Sequence, residues 1–110
     1  MNTEQLLRNL GATGNLKGFR YAVHMIELAE QDPTAVTKVT KYLYPETARH
    51  FNVSPSVVER NLRTVIHICW SRGNREFFDE VAGTCLTYQP TNGMFLDKAA
   101  AFLRRRETHS

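Results

Sequence analysis

The chain lacks the features that mark several common protein classes. Two cysteines, Cys69 and Cys85, are too few for the dense disulfide framework of small secreted proteins, and neither stands in a CxxC pair. Reduced, buried thiols are expected. No apolar run approaches the roughly 18 to 20 residues of a membrane-spanning helix, and the opening MNTEQLLRNL has neither the basic start nor the long apolar stretch of a secretory signal. A helical membrane span is excluded and the cytoplasm is the expected location. Low-complexity segments and internal repeats are missing too, and strand-like alternation is nearly absent. With 110 residues, the chain can build one shared core but not two, so residues 1–110 are read as a single domain.

What is present is an ordinary globular composition, 42% hydrophobic and 23% charged, with an uneven distribution of charge. From Thr34 to Arg75 there are seven basic residues (Lys38, Lys41, Arg49, Arg60, Arg63, Arg72, Arg75) against two acidic ones (Glu46, Glu59), a net of +5 in a chain whose total is +3. The remainder is net negative. A basic middle third is the electrostatic footprint that a phosphate backbone selects, although a solvated basic face has the same composition.

The apolar spacing predicts an all-α fold of about six or seven helices. Leu6, Leu7 and Leu10 share one side of a short helix ended by Gly11. Phe19, Ala22, Val23, Ile26 and Ala29 give an amphipathic helix from about Leu16 to Glu30. Asp32-Pro33 is an N-cap followed by proline at the first helical position, which predicts a third helix to about Tyr42 with Val36, Val39 and Leu43 inward. Pro45 opens a short helix broken at Asn52-Val53. Ser54-Pro55 starts the longest one, which runs to Arg72 and stops at Gly73-Asn74. A short helix from Arg75 to Ala82 closes at Gly83, the stretch from Thr84 to Gly93 reads as irregular, and a last helix from about Met94 to Arg106 carries Phe95, Ala99 and Phe102. That apolar stripe is either core or a contact surface, and core is the commoner role.

The segment TARHFNVSPSVVERNLR, Thr47 to Arg63, has the layout of two helices crossing at a tight turn, placing a helix-turn-helix at about residues 45–72. Ala48 is small where the second helix must approach, Phe51 and Val53 pack the turn, and Ser54 caps the second helix. Val58, Leu62, Val65 and Cys69 form its inward stripe, with Ile66 beside them. The outward face holds Ser56, Glu59, Arg60, Arg63 and His67. Ser56, Glu59, Arg60 and Arg63 are the candidate base-reading residues, because an arginine fork donates twice to guanine O6 and N7 while a carboxylate accepts from cytosine N4. Lys41, Arg49, Ser54 and His67 are the candidate phosphate contacts. Glu59 and Arg63, four apart, can equally form a surface pair.

Four segments resemble, in order, the C-terminal DNA-binding effector domain of the sporulation-initiation response regulator. They are LKGFRYAVHMI (Leu16 to Ile26), VTKYLYPETARHFNVSPSVVERNLR (Val39 to Arg63), ICWSRGN (Ile68 to Asn74) and PTNGMFLDKAAAFLR (Pro90 to Arg104). VER, WSRGN and PTN are their most specific marks. The resemblance implies a helical domain with an embedded helix-turn-helix that binds short elements in double-stranded DNA, often as two domains head to tail on tandem sites. It also implies that Glu59 and Arg60 stand at base-reading positions and Arg63 at a basic position one turn on. Two departures stand out. Val57 occupies a position where the family commonly has an arginine, and the phosphoacceptor receiver domain that normally precedes this domain is not within the 110 residues. The chain is thus read as either an excised or a free-standing effector domain.

Other chemistries find little support. Among His24, His50, His67, Cys69 and Cys85, the pair His67 and Cys69 lies two apart on a helix and cannot share a ligand, so no metal is expected. Cys69 belongs to the inward stripe and nothing near Cys85 marks an activated thiol, so no enzyme, cofactor or small-molecule substrate is expected. Trp70 is assigned to the core against Phe77 or Phe78, and Arg104 to Arg106 to a solvated helix end. The rival reading is a protein-interaction module that keeps the fold and modulates another regulator without reading DNA, for which Val57 is the only sign.

Overall fold

The computed structural model describes residues 1–108, and among these the chain is helical with no strand. Helix α1 (Thr3–Leu10) starts with a capping box: the Asn2 side chain accepts from the Gln5 N–H at 2.8 Å while the Gln5 side chain accepts from the Asn2 N–H at 2.9 Å. It ends at Gly11, whose φ of 119° lies in the left-handed region. Helix α2 (Lys17–Gln31) packs against both the long helix α4 (Pro55–Arg72) and the last helix, α6 (Asn92–Thr108). Its inward face is Phe19, Ala22, Met25, Ile26 and Ala29, with Val23 half-buried. The α2–α4 crossing is close because Gly18 has no side chain: a β-carbon there would collide with the Asn61 carbonyl.

The expected regular helix from Pro33 to Tyr42 does not form. Asp32 does cap a helical start, accepting from the Thr34 N–H at 3.0 Å, but the segment is a 3₁₀ turn (Pro33–Thr37) followed by a π turn (Val39–Leu43). Four β-branched residues, Val36, Thr37, Val39 and Thr40, crowd a regular α-helix, and the Thr37 hydroxyl bonds back to the Thr34 carbonyl at 2.7 Å. The π winding, with the Tyr44 N–H reaching the Val39 carbonyl, carries the chain directly into helix α3 (Tyr44–Phe51). Only Leu43 of the three expected inward residues is fully buried; Val36 and Val39 are half-buried.

Helix α5 (Arg75–Ala82) has the predicted bounds, capped by the Asn74 side chain at 3.0 Å from the Phe77 N–H and closed by left-handed Gly83. The stop before it works differently from the usual glycine cap. Gly73 is extended rather than left-handed, and a β-carbon there would fall on the Leu10 carbonyl oxygen, which the Asn74 N–H meets at 3.3 Å. Gly73-Asn74 thus lets the end of α4 abut the end of α1.

Val58, Leu62, Val65, Ile66 and Cys69 of α4 are all buried. Burial pushes the Cys69 thiol up to about 11, an effect the Ala12 amide partly offsets. Trp70 and Phe78 pack edge-to-face at 5.9 Å between ring centroids, and the Arg75 guanidinium lies over the Trp70 ring. On α6, Phe95, Ala99 and Phe102 are core, which decides against a contact surface there. No helix among the described residues is long and apolar enough to cross a membrane.

Candidate nucleic-acid interface

Helices α3 and α4 form the helix-turn-helix, joined by the three residues 52–54. The turn depends on Asn52, which has φ 57° and ψ 50°, the only non-glycine residue with positive φ among those described. Asparagine tolerates this conformation better than other side chains. The Val53 N–H then closes back on the Ala48 carbonyl at 2.9 Å. Ser54 caps α4, its hydroxyl accepting from the Val57 N–H at 3.3 Å and lying 3.1 Å from the Ser56 hydroxyl. No acidic residue sits in the first turn of α4. Its positive dipole end therefore has no carboxylate of its own helix to offset it.

Ser56, Arg60, Arg63 and His67 are exposed along successive turns of α4, while Val57 and Glu59 are half-buried beside them. Two arginines on this face differ in their present engagement. Arg63 Nη2 donates to Glu59 Oε1 at 2.6 Å, in a pair about half exposed on both sides, whereas the Arg60 guanidinium has no hydrogen-bond or ion-pair partner among the described residues. Val57 takes part through its backbone, its carbonyl accepting from Asn61 Nδ2 at 2.7 Å.

The four residues expected to meet phosphate are spread around this face. Ser54 begins α4, Arg49 lies in the last turn of α3 and is ion-paired with Glu46, and Lys41 is exposed on the π turn that leads into α3. His67 is farthest along α4, with Nδ1 3.0 Å from Gln89 Oε1. With that oxygen accepting, a neutral ring carries its proton on Nδ1 and keeps Nε2 as an acceptor, so His67 can donate to a phosphate only as the imidazolium.

Sequence reasoning missed the polar connection behind this face. Asn92, at the start of α6, is buried, and its Nδ2 donates to Tyr44 Oη at 2.9 Å and to the Glu59 carbonyl at 3.2 Å. Tyr44 was not singled out by its sequence context, because it falls on a run of mixed character, KYLYPE. The PTN triplet was the available signal, a polar residue opening an apolar helix. Behind α3, His24 and His50 stack at 4.3 Å between centroids, with Phe51 edge-on to both.

An all-helical fold carrying a capped helix-turn-helix, with a mostly polar, arginine-bearing outer face on its second helix, defines a protein of the helix-turn-helix class. Residues 3–103 match the family described as sporulation initiation factor Spo0A C terminal. The chain belongs to this family, which is the DNA-binding effector domain of a sporulation regulator.

Proposed function

We propose that this chain folds as one domain that binds double-stranded DNA sequence-specifically as a cytoplasmic transcription regulator and reads the major groove with α4. The observation that supports it best is the arrangement of Ser56, Glu59, Arg60 and Arg63 on one face of a helix whose opposite face is wholly buried. Arg60 is the principal reader, since its guanidinium is unengaged among the described residues and has two parallel donors to offer a guanine. Glu59 reads a neighbouring cytosine or hands Arg63 to a base, and its half-buried position beside a pairing arginine suits both roles. Lys41, Arg49, Ser54 and His67 hold phosphates on either side. Two copies bind head to tail on tandem sites, and neither cofactor nor small-molecule substrate takes part.

A duplex selected by the protein from a random pool, compared with its scramble by fluorescence anisotropy at two salt concentrations, tests this reading. The selected duplex should bind more tightly, affinity for both should fall steeply with salt, and Arg60→Ala should remove about 1 to 3 kcal/mol of the preference. Footprint length and stoichiometry report whether two copies bind in tandem. Equal, weak, salt-insensitive binding of both duplexes would replace this reading with the protein-interaction module.

A further inference from the structure

We propose that Asn92 is a positioning residue for the DNA-reading face, acting through the Glu59 carbonyl and the Tyr44 hydroxyl. The proposal rests on α4 being the reading helix. Three elements meet at this one amide. Asn92 opens α6, Tyr44 opens α3 and Glu59 lies in the reading turn of α4. The bonds span 48 and 33 residues of sequence, so they tie together parts of the chain that local helix geometry leaves independent.

The rest of the α4 packing is of a different kind. Val58, Leu62, Val65, Ile66 and Cys69 seat the helix by apolar contact, which fixes how deeply it sits but is non-directional. A hydrogen bond has a preferred length and angle. Holding the Glu59 carbonyl therefore fixes the rotation of the turn that carries Ser56, Glu59, Arg60 and Arg63, and a small rotation there moves the end of a long arginine by far more than it moves the backbone. Asn92 meets the requirement with both protons of its side-chain amide, one for each partner, so the buried NH₂ group has no unused donor. A second fastening lies two turns along α4, where His67 meets Gln89 of the connection that leads into α6. The irregular connection is thus tied to the flank of the reading helix just before α6 begins. The PTN triplet acquires a physical role: Thr91 Oγ1 accepts from the Met94 N–H at 3.2 Å to start α6, and Asn92 faces inward to hold α4.

The test uses Asn92→Ala and Tyr44→Phe, each alone and combined with Arg60→Ala, on the full chain with the selected duplex and its scramble. Circular dichroism and thermal melting first establish that each variant is folded at the assay temperature. A positioning role predicts that Asn92→Ala leaves affinity for the scramble nearly unchanged and lowers the preference for the selected duplex about tenfold, the scale of one base contact. Tyr44→Phe, which removes one oxygen and keeps the ring, should lower it in the same direction by less. In the Arg60→Ala background each should lower it by clearly less than in the parent chain, because part of the effect runs through the Arg60 contact. A lower melting temperature with unchanged preference in both variants, while Arg60→Ala alone abolishes it, would show a purely structural role and overturn the proposal. If Arg60→Ala itself leaves the preference intact, the reading-helix assignment fails, and the Asn92 proposal falls with it. Should Asn92→Ala fail to fold, Tyr44→Phe decides.

Discussion

Glu59 carries the sharpest expectation at the scale of single residues, because its carboxylate has two uses that separate experimentally. In the free fold it holds Arg63 in a half-exposed pair, which contributes only tenths of a kcal/mol to stability. Glu59→Gln should leave the melting temperature nearly unchanged. On DNA it should raise affinity for a scrambled duplex, by removing a negative charge from the face, and lower the preference for the selected one. A fall in stability of more than about 1 kcal/mol would mean that the pair is structural. Lys41 is expected to behave in the opposite way. It lies exposed on the π turn rather than on α4, so as a phosphate contact Lys41→Ala should weaken binding to both duplexes alike and reduce the slope of log affinity against log salt by about 1.

The turn between α3 and α4 governs the element scale. Asn52→Val forces a β-branched side chain into a left-handed conformation and should cost about 1 to 2 kcal/mol in chemical denaturation, whereas Asn52→Gly should be tolerated. Ser54→Ala removes the α4 cap and should cost about 1 kcal/mol. These features were legible in the sequence, as were the helix starts at Pro45 and Pro55 and the inward stripe of α4, because caps and apolar spacing are local. The stretch from Pro33 to Leu43 was not legible as it stands. Reading one continuous helix there assumed 3.6 residues per turn throughout, but the 3₁₀ turn packs against both α2 and α6, and the change of winding is a compromise with those neighbours. The Asn92 connection was hidden for a related reason: its partners are distant in sequence, and nothing local to PTN names them.

At the scale of the whole molecule, the stacked histidines between α2 and α3 predict how stability responds to pH. His24 is held below its ordinary value of 6.5, chiefly by burial and secondarily by His50, against the opposing carboxylates of Glu46 and Glu27. Its Nε2 is buried without a hydrogen-bond partner among the described residues. The unfolded chain therefore takes up a proton at His24 more readily than the fold does. Stability should be fully present above about 6.5 and decline as pH falls through that value, levelling only below the depressed folded value. Denaturation series between pH 8 and about 5 check this, and His24→Gln should flatten the profile. The two cysteines bear on how the molecule opens. Cys85 is exposed, against the expectation that both thiols are buried, because it sits on the connection between α5 and α6, while Cys69 is enclosed in the core at the last turn of α4 with its thiolate strongly disfavoured. An alkylating reagent should reach exposed Cys85 at once and Cys69 only when the end of α4 lifts from the core, so labelling should proceed in two separated phases. The slow phase times that opening in native buffer, and a DNA duplex that grips α4 should lengthen it while leaving the fast phase alone.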